Sequence, residues 1–183
     1  KGNERFVNNL KDNRNLLQQV NETSDGQHPL AIVLSCIDSR TSAELIFAQG
    51  LGDIFSCRVA GNVLNDDILG SMEFACKVAG AKVVLVMGHT ACGAIKGAID
   101  NAELGNLTGL LAKIKPAVAA TDYSGLRSAK NYDFVDRVAK KNVELTIDAI
   151  RKGSSVLAEL ETKRSIRIAG AMYRLDTGAV DFY

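Results

Sequence analysis

Two short apolar segments, each followed at once by polar residues, constrain the fold of this chain more than any other feature. They span residues 30–36 and 83–88 and are rich in β-branched side chains. Continuous apolar runs of this length are typical of strands covered on both faces, as in parallel sheets. Segments with helical periodicity alternate with them. We therefore predict an α/β fold with a mainly parallel central sheet flanked by helices.

Capping and turn residues place the remaining elements. Asn65 is expected to cap a helix that ends before Gly80. The sequence Asp-Thr-Gly at 176–178 predicts a hairpin turn, so the last strand would lie antiparallel at the edge of the sheet. Other strands are predicted over 53–59 and 165–173, and other helices over 42–49, 91–100, 104–120, 132–152 and 154–160. We expect one domain over 1–183, with an N-terminal helical arm, in two pieces, over 1–26 and an α/β core over 27–183.

The charge balance excludes several kinds of partner. The 183 residues include 22 Lys and Arg against 21 Asp and Glu, so the net charge is +1. Such a balance gives no reason to expect a surface for nucleic acid or for anionic membranes. No apolar run approaches the roughly 18 residues that a membrane-spanning helix needs. We therefore expect no nucleic acid and no membrane among the partners.

Cysteine usage bears on the compartment. Four cysteines in 183 residues are too few for a disulfide scaffold. Thiols in a reducing compartment, or thiolates on a metal, are the better interpretations. We expect a cytoplasmic protein, and a periplasmic or organellar location is left open because the sequence starts at Lys1 without a methionine. Cys57 and Cys76 are expected to be buried structural thiols.

Metal-binding residue types follow both apolar segments. Cys36 and Asp38 come at the end of the first, and His89 and Cys92 follow the second. Open α/β sheets bind ligands at the carboxyl ends of their strands. Zinc takes thiolates, imidazoles and carboxylates, whereas thiolates disfavour magnesium and calcium. Zinc is therefore the predicted metal, with buried structural cysteines as the alternative. A position near a helix N-terminus is expected to lower the pKa of Cys92.

The motifs Cys-Ile-Asp-Ser-Arg at 36–40 and His-Thr-Ala-Cys-Gly at 89–93 together resemble the β-class carbonic anhydrase family, with features of its plant-type subgroup. The segment Arg-Val-Ala-Gly-Asn at 58–62 resembles a third family motif. The resemblance is specific over 27–98 and looser as far as the C-terminal hairpin. It implies zinc-dependent, reversible hydration of carbon dioxide to bicarbonate and a proton, by attack of zinc-bound hydroxide. It also implies a homodimer or a dimer of dimers.

The resemblance implies a role for each matching residue. Cys36, His89 and Cys92 match the zinc ligands. Asp38 and Arg40 match the catalytic pair, whose carboxylate either hydrogen-bonds the zinc-bound water or becomes a fourth ligand. The implied substrate-binding residues form a mainly apolar pocket with one polar donor; they are Gln27, Phe55, Val59, Ala60, Phe74 and Gly93. Because the family shares its sites across a dimer interface, Gln27 and the aromatic residues would approach zinc from both chains, with the arm packed on a neighbour.

Several positions depart from the family pattern. Thr41-Ser42 stands where the family usually has an apolar residue and often proline, and Ala48 stands where aspartate is common. Neither is a metal position, so these departures affect helix packing or a local contact and not the chemistry. Val33 stands where some members have the tryptophan of a secondary bicarbonate pocket, and Arg58 falls at that pocket's arginine. A ligand shifts a conformational equilibrium only by its differential affinity. In those members, bicarbonate in this pocket stabilises a closed form, in which the aspartate leaves its arginine and ligates zinc. Because the pocket lacks its aromatic wall here, we expect the open form near neutral and alkaline pH, with Asp38 held by Arg40.

Two other functions stay open at this point. A hydrolase acting on carbonyl sulfide or carbon disulfide would use the same metal ligands, so the ligands cannot separate it from a carbonic anhydrase. A non-catalytic structural zinc module would close the metal with both cysteines, the histidine and the aspartate. The adjacent Arg40 argues against the structural module, because such a site has no need of it.

Overall fold

The central feature of the computed structural model, which describes residues 1–10 and 13–183, is a five-stranded sheet in the order β2-β1-β3-β4-β5. The strands are β1 (Ala31–Ser35), β2 (Ile54–Arg58), β3 (Val83–His89), β4 (Arg167–Tyr173) and β5 (Val180–Phe182). All neighbouring pairs are parallel except β4 and β5. The predicted α/β fold, with its parallel centre and antiparallel C-terminal edge strand, is confirmed.

Helices occupy most of the chain between the strands. They are α1 (Gly2–Val7), α2 (Leu16–Glu22), α3 (Ala43–Ile46), α4 (Asp66–Glu73), α5 (Gly93–Ile99), α6 (Gly105–Ala112), α7 (Lys115–Ala120), α8 (Tyr132–Gly153) and α9 (Ser155–Thr162). A π-helical turn, Phe74–Val78, continues α4, and a 3-10 turn spans Ala60–Asn62. Lys11 and Asp12, inside the predicted arm, lie outside the described residues. No helix in the described part of the chain is long and apolar enough to cross a membrane.

Side-chain alternation along β1 divides the core into two layers. Ile32 and Leu34 face a large cluster that includes residues of α5, α8 and α9, whereas Val33 faces a smaller one formed with α3. Cys36 continues the alternation and belongs to the large cluster. The first cysteine is therefore directed toward the face of the sheet that the long helix α8 covers.

The register of β1 against β3 brings the two strand ends together. Ser35 pairs with Met87, and β3 continues for two more residues to His89. Cys36, the next residue after β1, therefore lies beside the end of β3. Because β1 and β3 are parallel neighbours, the two polar motifs that follow them meet at one edge of the sheet.

Both helices of the N-terminal arm contact the body of the chain through polar side chains, among them Asn3 on α1 and Gln19 on α2. In α1, the Asn3 side chain donates to the Gly178 carbonyl (2.8 Å) and accepts from the Val180 amide (2.9 Å). In α2, no residue is buried, and Leu16 and Leu17 are 58% and 71% exposed. Each half of the arm therefore contacts its own chain and leaves apolar side chains exposed, and packing of the arm on a neighbouring chain stays a prediction.

Asn65 caps α4 as the sequence predicted, because its side-chain oxygen accepts from the Ile68 amide at 2.9 Å. Replacing Asn65 by alanine is expected to lower the free energy of unfolding by about 1 kcal/mol. Asn65→Asp keeps an acceptor and adds negative charge at a helix N-terminus, so it should retain the wild-type stability. Urea unfolding of the three proteins measures this, and equal stability of Asn65→Ala and wild type would contradict it.

Candidate metal centre

Cys36, His89 and Cys92 form a tight and buried group. Their ligand atoms all lie within 4.8 Å of one another, and each residue is at most 4% exposed. Cys36 directly follows β1, His89 ends β3, and Cys92 is the N-cap of α5. Zinc bonds of 2.0–2.3 Å in a tetrahedral site separate ligand atoms by about 3.3–3.8 Å. The group is therefore compact enough to hold one such ion.

The hydrogen bonding of His89 suits a metal ligand. Its Nδ1 lies 2.9 Å from the carbonyl oxygen of Thr90, which accepts a proton carried on that nitrogen. The other nitrogen, Nε2, is buried and has no hydrogen-bond partner among the described residues. A backbone carbonyl on the distal nitrogen fixes the tautomer of metal-binding histidines and leaves the second nitrogen with a free lone pair. The unpaired Nε2 thus fits a metal.

The two buried thiols affect each other's ionisation. Hydrogen bonding by Cys92 lowers the pKa of Cys36 to about 4, and the Gly61 amide also donates to Cys36 Sγ, at 3.3 Å. The Cys36 thiolate and burial in turn raise the pKa of Cys92, and they outweigh the amides of Ala94 and Ile95 that lower it. The expectation of a lowered pKa for Cys92 is therefore wrong for the pair alone. A divalent cation between the sulfurs would favour both thiolates.

Asp38 and Arg40 form a two-point ion pair beside this group. Arg40 donates from Nε to Asp38 Oδ1 (2.9 Å) and from the terminal guanidinium nitrogen to Oδ2 (2.7 Å). These hydrogen bonds hold the pKa of the Asp38 carboxyl well below its usual range. Asp38 Oδ2 also lies 3.9 Å from His89 Nε2. The open arrangement expected for Asp38 is the one observed; its persistence across pH stays a prediction.

The loop that carries Cys36 and Asp38 is held through its carbonyl groups. The buried Thr41 hydroxyl lies 3.0 Å from the Cys36 oxygen and 2.8 Å from the Asp38 oxygen. Arg58 donates to the same two oxygens, at 3.1 Å and 2.6 Å. A threonine in a position where the family favours apolar residues is thus accommodated by hydrogen bonds. Arg58, which falls at the position of the arginine in the secondary bicarbonate pocket, thus has its guanidinium on backbone carbonyls of this loop.

Three of the predicted substrate-binding residues lie next to the metal group. The amide of Val59 donates to the Ser35 carbonyl at 3.1 Å, and Ala60 begins the turn whose Gly61 amide contacts Cys36. Gly93 is the exposed first residue of α5, and a Cβ placed on it would meet no described atom within 4 Å. Val59 and Ala60 can therefore supply an apolar wall beside the site.

The other three predicted pocket residues lie elsewhere in the chain. Phe55 and Phe74 meet edge to face, with ring centroids 6.2 Å apart, on a cavity of about 670 Å³ whose walls include none of the three ligands. Phe55 pairs with Ile32, four residues before Cys36. Gln27 precedes β1 and lines a different cavity, so the whole length of β1 separates it from Cys36. One chain alone does not bring these residues to the ligands.

Sequence reasoning missed three residues that support the site. The Gly61 amide contacts Cys36, and the Gly61 carbonyl accepts from buried Asn142 on α8 at 2.8 Å. Gly61 has φ +66°, in the left-handed region that favours glycine, and a Cβ there would lie 2.6 Å from Ile114 Cδ1. Asp136, also on α8, accepts from the Ala91 amide at 2.8 Å. No local pattern identifies Asn142 or Asp136, because both act from a helix distant in sequence.

Comparisons with known proteins agree with this geometry. The family model described as carbonic anhydrase matches residues 31–180. Carbonic anhydrase 2 of Mycobacterium tuberculosis is 35% identical over 185 residues, which cover 97% of this chain and 86% of that protein. The β-carbonic anhydrase CafA of Aspergillus fumigatus is 28% identical, with a TM-score of 0.81 over 91% of this chain and 81% of that one. Tetrameric β-carbonic anhydrases of Sordaria macrospora share the fold, with 21% identity and a TM-score of 0.76 over 90% and 89% of the two chains.

The α/β fold and the Cys-His-Cys group define the class of protein, an α/β domain with a candidate metal site where its parallel strands end. The family model matches residues 31–180, and the 35% identity extends over 97% of this chain, so the family can be assigned as well as the class. The chain belongs to the β-carbonic anhydrase family.

The role assigned to Thr41 leads to a test of the first ligand loop. Thr41→Val keeps the shape of the side chain but removes the hydroxyl from the Cys36 and Asp38 carbonyls. Loss of a buried hydrogen-bond partner should lower the free energy of unfolding by about 1–3 kcal/mol. Thr41→Ser keeps the hydroxyl and should lose less. Denaturant unfolding measures both, and a valine variant at least as stable as the serine variant would contradict the role of the hydroxyl.

Proposed function

We propose that the protein binds one zinc ion per chain through Cys36, His89 and Cys92 and catalyses the reversible hydration of carbon dioxide to bicarbonate and a proton. The observation that carries the proposal is the buried, unpaired Nε2 of His89 in one group with two thiols. Two soft sulfur donors and an imidazole are a zinc set that leaves a fourth position open. Zinc in such a site supplies a nucleophilic hydroxide near neutral pH. Membership of the carbonic anhydrase family supports the reaction.

In this proposal Asp38 and Arg40 are the catalytic pair. Arg40 keeps the carboxylate ionised and fixes both of its oxygens. Asp38 Oδ2 lies 3.9 Å from His89 Nε2, so this carboxylate borders the ligand group. If zinc were held by the three ligands, the Asp38 carboxylate could accept a hydrogen bond from the hydroxide that zinc supplies, and so help to orient it toward substrate. Arg40, in contrast, acts through Asp38 by holding its charge and orientation.

The substrate pocket is proposed to form between two chains. Carbon dioxide is small and apolar, so Val59, Ala60 and Gly93 beside the ligands can accommodate it. Gln27, Phe55 and Phe74 lie away from the ligands of their own chain. We therefore assign them to the site of a second copy, in a homodimer or a dimer of dimers. The proposal treats 1–183 as one domain, whose exposed α2 residues are available to a neighbouring chain.

The reaction is tested by stopped-flow hydration of carbon dioxide together with metal analysis. We expect one zinc per wild-type chain and activity that is lost with a chelator and restored by zinc. Cys92→Ala should lose both the metal and the activity, because only two protein ligands remain. Cys76→Ala is the matched control: Cys76 is outside the ligand group, and burial raises its pKa to about 11, so this variant should keep both the metal and the activity.

Two outcomes would overturn the proposal. Full zinc occupancy in Cys92→Ala would refute the ligand assignment. Zinc-loaded wild-type protein that fails to hydrate carbon dioxide would refute the reaction, and turnover of carbonyl sulfide or carbon disulfide in the same assay would then identify the hydrolase instead.

A separate experiment tests whether two chains share the site. It mixes two variants, one expected to be inactive and the other impaired when each is alone. Cys92→Ala lacks the metal but keeps Gln27, whereas Gln27→Ala keeps the metal and should be impaired as a homodimer. If Gln27 acts on its partner's site, each mixed dimer contains one intact site. After subunit exchange at equal amounts, roughly half of the dimers are mixed, and activity should return to roughly a quarter of the wild-type value.

The control for this experiment is the same mixture before subunit exchange, which should stay at the level of the separate variants. A mixture that gains nothing although mixed dimers are detected would place Gln27 in the site of its own chain or outside any site. An active monomer in sedimentation at micromolar concentration would likewise contradict the shared pocket.

A further inference from the structure

The turn between His89 and Cys92 is attached to helix α8 by one side chain. Ala91, in the middle of this turn, has φ +55°, in the left-handed region that residues other than glycine rarely adopt. Its amide donates to Asp136 Oδ1 at 2.8 Å. Asp136 is half-buried on the face of α8 that meets the sheet edge. An unfavourable backbone conformation persists where its surroundings hold it, and here the described contact is the Asp136 carboxylate.

The geometry of the turn explains why this contact matters. His89 still belongs to β3, whereas Cys92 already caps α5, so two residues must redirect the chain while both ligands stay on the same side. The first of them, Thr90, is fixed by backbone: its amide donates to the Tyr173 carbonyl, and its hydroxyl accepts from the Leu175 amide, both at 3.0 Å. The second, Ala91, is fixed by Asp136. Asp136 therefore sets the direction in which the chain enters Cys92.

We propose that Asp136 is a positioning residue of the metal centre, which orients Cys92 relative to His89 through the amide of Ala91. This inference rests on the proposed metal binding by Cys36, His89 and Cys92. Asp136 itself is not a ligand, since it lies outside the ligand group and contacts the turn. A carboxylate accepting from a backbone amide is a strong hydrogen bond and can hold the turn in its left-handed conformation.

Three variants separate the hydrogen bond from charge and from general stability. Asp136→Ala removes the acceptor, and Asp136→Asn keeps a side-chain oxygen without the charge. Asp133→Asn is the matched control, because Asp133 lies on the same helix, is 60% exposed and pairs only with Arg137 among its described contacts. Zinc affinity is measured by competition with a chelator, and the absorption spectrum of the cobalt-substituted proteins reports ligand geometry. Circular dichroism confirms that each variant is folded.

We expect Asp136→Ala to lower zinc affinity by about 10–100-fold, as loss of a contact that orients a ligand typically does. Its cobalt spectrum should change, while Asp136→Asn should recover most of the affinity and Asp133→Asn should match wild type. Wild-type affinity and spectrum in a folded Asp136→Ala would overturn the inference. Equal loss in the asparagine and alanine variants would also overturn it, because charge rather than the hydrogen bond would then be responsible.

A measurement on the wild-type protein keeps the test independent of folding of the variants. The Ala91 amide should exchange its hydrogen slowly, as a bonded amide does, and faster in Asp136→Asn, whose acceptor is uncharged. Exchange of the wild-type amide at the rate of an exposed, unbonded one would exclude the contact. A wild-type protein that binds no zinc would instead refute the proposed function, so the two failures are distinguishable.

Discussion

The parallel pairing of β1 with β3 is the interaction on which the metal centre depends. Ser35 opposite Met87 places the residue after β1 beside the end of β3. Side chains alternate along a strand, so a slip of one residue would turn Cys36 to the opposite face of the sheet. Burial of both faces of β1 and β3 prevents such a slip, because it would misplace the apolar side chains of both layers.

Strand pairing brings the motifs together, but it does not set the angles of the ligands. Each loop is fixed by groups that arrive from outside it. Thr41 and Arg58 hold the carbonyls of the first loop, and Asp136 and the backbone after β4 hold the second. Two thiols and a carboxylate repel one another when ionised, so a loop without these contacts could open to separate them. The outer hydrogen bonds resist this repulsion before any metal is bound, and they thereby favour a preorganised site.

The positions of the strands and the grouping of Cys36, His89 and Cys92 could be predicted from sequence because the signals for both are local. Each apolar run and the polar motif after it are contiguous, and the capping role of Asn65 depends on the residues just beyond it. The supporting contacts were not predictable in this way. Asp136 follows Ala91 by 45 residues, and Asn142 follows Gly61 by 81. In the sequence of α8, Asp136 and Asn142 cannot be distinguished from the other polar residues of an amphipathic helix. The predicted direction of the pKa shift of Cys92 was wrong for a related reason. The Cys36 thiolate, which is distant in sequence, raises this pKa by more than the nearby helix amides lower it.

The distribution of the predicted pocket residues follows from the same sheet. The carboxyl ends of parallel strands all lie on one side of the sheet, so the loops that carry the candidate ligands gather there. Residues that precede a strand lie on the opposite side, where the strands begin. Gln27 precedes β1, so it lies at the end of the sheet opposite to Cys36. The length of β1, at about 3.3 Å per residue, separates the two residues within one chain. Phe55, four pairing positions from Cys36, is similarly displaced. A single chain thus gathers the candidate metal ligands beside an apolar wall, but it places Gln27, Phe55 and Phe74 elsewhere. A second copy related by twofold symmetry is the simplest source of the missing groups, because the same displaced residues are then presented to each site in turn.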